Sequence, residues 1–196
     1  GLWRDDALAI LDQIATGTVV LVGFSMGAWI ALLTSMARPE RVKGLVLVAP
    51  AVDFAIELMW NRFDPEVRCE LGDKGIFYRQ YADEAYPVTM KLIEESRSHL
   101  LLGSKTPFDG PVHVLHGLAD DIVPLEHVIR TVDAIAADEL TVTLIKGGDH
   151  RLSRDSDLTR LTGVLAELIS GTGADPVGQP DSLDFEHYTQ HSSQKL

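Results

Sequence analysis

The chain has 196 residues, enough for one domain with a core of its own. Hydrophobic residues make up 45% and charged residues 23%, the balance of a folded globular protein. A net charge of −12 argues against a nucleic-acid or anionic-membrane surface, which would need a basic patch. Cys69 is the single cysteine, so an internal disulfide and a cysteine metal cluster are excluded, and a packed, apolar role is expected for it. No run of about 18 apolar residues predicts a membrane span. The opening "GLWRDDALAILDQIATGT" carries acids early and lacks the basic start of a secretory peptide. The lone cysteine and the acidic composition suit a reducing compartment. They predict a cytoplasmic location, with a mitochondrial one if a missing amino-terminal part carries a transit peptide.

In chain order, Asp5–Ala15 repeats apolar residues at Leu8, Leu11 and Ile14 and predicts a helix. Val19–Val22 predicts a strand. A helix over Ala28–Ala37 follows, ended by Arg38 and Pro39. Leu45–Val48, Val112–His116 and Thr141–Ile145 predict three more strands. All four strand candidates are continuously apolar or β-branched, the pattern of parallel strands covered on both faces. Helices are predicted over Leu125–Ala137, after Pro124, and over Asp155–Ile169, where Leu158, Leu161, Leu165 and Leu168 share a face. This alternation implies βαβ units and an α/β fold with a parallel sheet between helices. Residues 51–110 interrupt it: too long for a crossover and too apolar for a linker. "IELMWNRF" and "PVTMKLIEESRSHLLL" both predict helix, in an excursion over the strand ends. Residues 171–196 are rich in Gly, Pro, Ser, Asp and Gln and predict a mobile tail, leaving 1–170 as the folded domain.

Gly23-Phe24-Ser25-Met26-Gly27 fits G-x-S-x-G at the seam of a buried strand and an apolar helix. That spacing suits a sharp strand-to-helix turn that lifts the serine hydroxyl above the sheet edge. Small residues two before and two after let strand and helix pass closely. The helix aims its free N–H groups at the site, and Met26 N–H is the natural donor to an oxyanion. A serine hydroxyl needs a base, and the base an orienting acid. Of seven histidines, His150 in "KGGDHRLS" is the candidate base, because a turn just past the last strand can reach over the sheet edge. His187 and His191 lie in the tail, His99 in the excursion, and His127 on the exposed face of a helix. His113 is expected to pack inside a strand, and His116 to support the turn at Gly117. For the acid, Asp120 fits H-G-x-x-D-x-x-V-P. Asp121, which could cap the next helix, and Asp53, after the second strand, are the alternatives. Asp149 is expected to serve its own turn. Ser25, Asp120 and His150 follow in nucleophile–acid–base order along the chain.

"GFSMGAWIALL", "ARPERVKGLVLVAPAVDF", "HGLADDIVP" and "KGGDHRLS" together resemble the α/β-hydrolase superfamily, and within it the mitochondrial acyl-protein thioesterase and acyl-glucuronide esterase group with its bacterial relatives. The likeness runs from about Asp5 to Ile169. It implies Ser25 as nucleophile, Asp120 as acid, His150 as base and 51–110 as a helical cap. The implied function is a serine esterase or thioesterase, with a related hydrolase of other bonds as a weaker reading. No metal or organic cofactor is implied. The implied partners are a small acyl ester or thioester, or an acylated protein. Trp60, Phe63 and Phe77, with Leu58, Met59 and Tyr78, are candidates to line an acyl pocket or to form the excursion's own core. Trp29 is expected to pack its helix.

The resemblance also implies eight core strands, of which four are found, as though the amino-terminal half were absent. The loop supplying the second oxyanion N–H lies in that half, and losing one such donor costs about 2.7–4 kcal/mol of transition-state stabilisation. The edge of Val19–Val22 is then expected to stand open and invite self-association. A catalytically impaired half-domain acting as an interaction piece is the alternative function.

Overall fold

The computed structural model of the protein describes residues 1–81 and 84–173. Helix α1 (Leu2–Gln13), strand β1 (Val19–Phe24), helix α2 (Met26–Ala37) and strand β2 (Val42–Val48) come first. The segment 51–110 follows, with a π-helical turn (Ala55–Met59), a 3₁₀ turn (Trp60–Arg62), α3 (Pro65–Lys74), β3 (Ile76–Tyr81), β4 (Glu84–Thr89), α4 (Met90–Ser96), a 3₁₀ turn (Arg97–His99) and the short β5 (Thr106–Pro107). The chain then returns through β6 (Val112–Gly117), α5 (Leu125–Ala134), the short β7 (Ile135–Ala136), β8 (Leu140–Ile145) and α6 (Asp155–Thr172).

The central sheet has the order β1-β2-β6-β8 and all three pairings are parallel. Leu21 pairs with Leu45, Leu45 with Val112, and Val112 with Leu140. Helices lie on both faces. Leu45 and Leu47 of β2 join Leu11, Leu32, Val114 and Val128 in the core under α1, α2 and α5. Val46 and Val48 point the other way, into a smaller core with Leu115, Ile145 and Leu168 under α6. Both faces of β2 are buried, which is why its sequence runs apolar without alternation. Among the described residues only α6 covers the second face; it packs on Val20 of β1 but leaves Val22 and Phe24 47% and 43% exposed. Among the described residues β1 pairs on one side only. Its open side continues into an apolar groove of about 400 Å³ lined by Ile10, Val19, Val20, Val22 and Ile30.

The four strands and four helices of the alternating part lie where the pattern predicts them, give or take a few residues. The 51–110 segment differs. "IELMWNRF" forms a π-helical turn and a 3₁₀ turn instead of an α-helix. Pro87, Val88 and Thr89, expected to be helical, are the end of β4 in an antiparallel hairpin with β3. The helix starts only at Met90, because the Thr89 hydroxyl accepts the Leu92 N–H at 3.1 Å and caps it. Helix α3 and the hairpin had no strong periodicity to reveal them. The punctuation was there: Pro65 at the first helical turn and Gly75 at φ 72° after the last. A third core, with Ile56, Met59, Leu71, Val88 and Ile93, holds this segment together. Cys69, expected to be packed, is exposed on α3. His127, expected on an exposed face, is buried on α5. Helix α6 runs through Thr172 and ends at Gly173 in the left-handed conformation, so residues 171–173, expected in the tail, belong to the helix and its cap; residues 174–196, with His187 and His191, lie outside the described residues.

Asp53 closes the segment. It is buried at φ 57°, and its carboxylate accepts the Leu101 N–H at 2.9 and 3.0 Å and the Leu102 N–H at 2.9 Å. One side chain thus ties the start of the segment to its return.

Candidate active site

Ser25 sits between β1 and α2 at φ 52° and ψ −117°, a backbone conformation that costs a non-glycine residue about 1–3 kcal/mol. Its surroundings hold it there. The Ser25 N–H donates to Val48 O at 2.8 Å, and its carbonyl accepts the N–H groups of Ala28 and Ala51, each at 3.1 Å. Gly23 is required by the corner, since an added Cβ would lie 2.5 Å from Ala28 Cα. Gly27 is not: the same test meets nothing within 4 Å. The symmetric expectation for the two glycines fails because Gly27 faces the open groove beside β1. Met26 N–H, at the head of α2, has no backbone acceptor among the described residues and is free to receive an oxyanion.

Asp120 follows β6 and His150 follows β8, so all three side chains stand at the carboxyl ends of parallel strands, where such sheets place their sites. The two loops are joined. Ala119 N–H donates to Gly148 O at 2.8 Å and Leu118 N–H to Ile145 O at 3.0 Å. Gly117 packs so tightly that a Cβ would lie 2.2 Å from Gly148 O. Across this seam His150 Nδ1 is 2.8 Å from Asp120 Oδ2, and His150 Nε2 is 3.1 Å from Ser25 Oγ. A carboxylate at Nδ1 requires the ring proton there, which leaves Nε2 to accept from the serine hydroxyl. Asp120 Oδ1 accepts the N–H groups of Ile122 and Val123 at 2.8 and 2.9 Å. Burial alone would raise the Asp120 pKa. The bonds from His150, Val123 and Ile122 outweigh it and hold the carboxyl below its ordinary value. The Phe24 ring lies against His150, with centroids 5.2 Å apart.

The other candidates fall elsewhere. Asp121 is exposed and caps nothing, since Pro124 precedes α5. Asp53 faces Leu101 and Leu102, as described. Asp149 accepts the N–H groups of Arg151 and Leu152, a turn role. His99 ends a 3₁₀ turn, where its carbonyl accepts the Trp29 indole N–H at 3.0 Å. His113 Nε2 contacts the Thr143 hydroxyl at 2.8 Å. Trp29 is buried edge-on to Phe54.

Beside Ser25 opens a cavity of about 290 Å³, with Ala51, Phe54, Leu58, Met59, Val88 and Leu92 as its apolar wall. Arg62, Arg79, Tyr86 and Asp121 stand around it, and Trp3 of α1 closes one side. Trp60, Phe63 and Phe77 are not part of that wall. They pack on the segment's own core: Phe63 edge-on to Phe77 at 5.8 Å, and Trp60 with the guanidinium groups of Arg68 and Arg97 at 5.7 Å. Leu58 and Met59 share the apolar run with Trp60, but the π-helical turn directs them inward to the cavity. Trp3 and Tyr86 were missed because nothing local marks a residue that reaches the site only through tertiary packing.

A sequence profile described as the alpha/beta hydrolase family matches residues 2–161. The chain belongs to the alpha/beta hydrolase family. Within that family it is similar to the human palmitoyl-protein thioesterase ABHD10, mitochondrial, at 36% identity over 172 residues. That match covers 86% of this chain and 56% of the relative, so the chain spans a little over half the length of the curated relatives it matches. Among solved structures it is similar to a hydrolase of Agrobacterium vitis S4, at 36% identity and a TM-score of 0.81, covering 85% of this chain and 67% of that one. It is also similar to mouse alpha/beta hydrolase domain-containing protein 10, at 33% identity and a TM-score of 0.78, covering 86% and 68%. The parallel sheet and its flanking helices are those of this alpha/beta hydrolase fold.

Proposed function

We propose that this alpha/beta hydrolase is a serine hydrolase that cleaves acyl esters or thioesters through an acyl-enzyme. The observation that carries the reading is the chain of contacts from Asp120 Oδ2 through His150 to Ser25 Oγ, at 2.8 and 3.1 Å. In this reading His150 Nε2 takes the Ser25 proton as Oγ attacks the carbonyl carbon. The oxyanion receives Met26 N–H. The carbon–oxygen or carbon–sulfur bond then breaks, and His150 returns the proton to the leaving alcohol or thiol. Water repeats the cycle, losing its proton to His150, and releases the acid. Asp120 holds the imidazole tautomer throughout. The apolar cavity beside Ser25 suits an acyl chain, and at about 290 Å³ it stands at the small end of ligand pockets.

The names of the ABHD10 relatives favour a thioester, including one on an acylated protein. Those names also favour the mitochondrial over the cytoplasmic alternative. A fluorophosphonate probe tests the chemistry. The folded wild type is expected to be labelled and Ser25→Ala not. A folded wild type that stays unlabelled would leave the impaired half-domain as the better reading. Matched acyl thioesters and oxygen esters then separate the substrate classes. The open edge of β1 at Val19–Val22 supports self-association. Light scattering should show mass rising with concentration; a monomer throughout removes that part of the proposal.

A further inference from the structure

We infer that His116 is a positioning residue that donates its Nδ1–H to Oδ2 of Asp120 and so fixes the carboxylate for His150, an inference that rests on the triad reading above. His116 is the penultimate residue of β6 and is 1% exposed. Its Nδ1 is buried and has no hydrogen-bond partner among the described residues. An unpaired buried ring nitrogen is uncommon and asks for an explanation. Four residues on, Asp120 Oδ2 lies 3.7 Å from it, on a side chain with no solvent exposure.

The donor count at Asp120 leaves one place open. Oδ1 already receives two backbone N–H groups, from Ile122 and Val123. Oδ2 receives one, from His150 Nδ1. A carboxylate oxygen has two lone pairs, so Oδ2 can take a second donor. Closing the gap to an ordinary N–H···O length of about 2.9 Å needs a shift of less than about 1 Å. Asp120 would then be gripped by the loop, by His150 and by the sheet itself through β6.

The identity of the donor matters. Burial pushes the His116 pKa down; Asp120 opposes this in part, and His150 adds to it. His116 therefore carries one ring proton and no charge at neutral pH. A neutral donor orients the carboxylate without repelling the imidazolium that forms on His150. An arginine or lysine in its place would repel it.

Long-range ¹H–¹⁵N spectra of the full chain read the contact without any turnover. At pH 7 His116 is expected neutral, with its proton on Nδ1; a proton on Nε2 overturns the inference. His116→Leu removes the donor and His116→Asn keeps an N–H near Nδ1. In His116→Leu, Oδ2 should bind His150 more strongly, so the His150 titration should move upward. Its kcat should fall about tenfold while KM holds within about twofold, the mark of an interaction that matters in the transition state. His116→Asn should restore both. An unmoved titration in His116→Leu overturns the inference, and so do equal losses in the two variants, which would mark mere packing. If His116→Leu does not fold, the wild-type tautomer and His116→Asn decide. A wild type with no turnover but with the Nδ1 proton in place, and its His150 titration answering to His116, would sink the triad reading and leave this contact standing.

Discussion

Three aspartates and seven histidines compete on paper for two roles, and burial and partner geometry separate them. Asp120 has a fully buried side chain aimed at His150, whereas Asp121, its neighbour in sequence, is exposed at the cavity mouth. Asp120→Asn is expected to lower kcat by about 10⁴-fold, because an amide cannot hold the Nδ1–H tautomer. Asp121→Asn should leave kcat within about threefold. Steady-state rates on one activated ester check both. Asp53 predicts a different signature. Its carboxylate holds Leu101 and Leu102, and burial raises its pKa despite those two N–H groups. Asp53→Ala orphans them and should cost about 1–3 kcal/mol of stability in denaturant unfolding. The motif around Ser25 was legible because its strain is local. The choice among the aspartates was only half legible, since each sits in a loop after a strand.

At the scale of elements, the contacts among Ser25, His150 and Asp120 depend on close backbone approaches that only glycine allows. Gly23 lets α2 pass β1, and Gly117 lets the Asp120 loop meet the His150 loop. Gly23→Ala is expected to abolish soluble, folded protein or fluorophosphonate labelling, because Cβ would need Ala28 to move. Gly27→Ala, which meets open space inside a helix, should instead raise the unfolding free energy by up to about 1 kcal/mol. Equal effects of the two substitutions would contradict this account of the corner. The βαβ part was legible because buried parallel strands and amphipathic helices each impose a period. The hairpin of β3 and β4 was not, because Val88 and Thr89, set between Pro87 and a helical run, read equally as the start of that helix or the end of a strand until Phe77 and Ile76 are known to pair with them.

For the whole molecule, among the described residues, one side of β1 is unpaired and one helix covers one face, so the larger core of the sheet lies on the α2 side. Its response to acid follows from the buried imidazoles. Burial lowers the pKa of His116 and of His127. A base with a depressed native pKa contributes stability that is present above its unfolded pKa, about 6.5, and is lost as pH falls below it. As pH falls, each histidine kept neutral weakens the fold by up to about 1.4 kcal/mol per pH unit, between that value and its own lower native pKa. The melting temperature should therefore fall steadily from about pH 6.5 downward, and His127→Phe should flatten the curve if its ring packs in the same space. The depressed Asp120 pKa adds a second loss, as pH drops through its native value below about 3.9. A flat profile between pH 7 and 5 would count against neutral buried histidines.

The sequence by itself determined the four-stranded parallel sheet, its helices and the strained corner at Ser25, because these follow from periodicity and from the needs of one tight turn. Only the tertiary structure decided what reaches that corner. The meeting of Gly117 with Gly148, the π-helical turn that sends Leu58 and Met59 to the cavity and Trp60 away from it, and the approach of Trp3 and Tyr86 all depend on contacts between residues far apart in the chain, and no local pattern encodes such a distance.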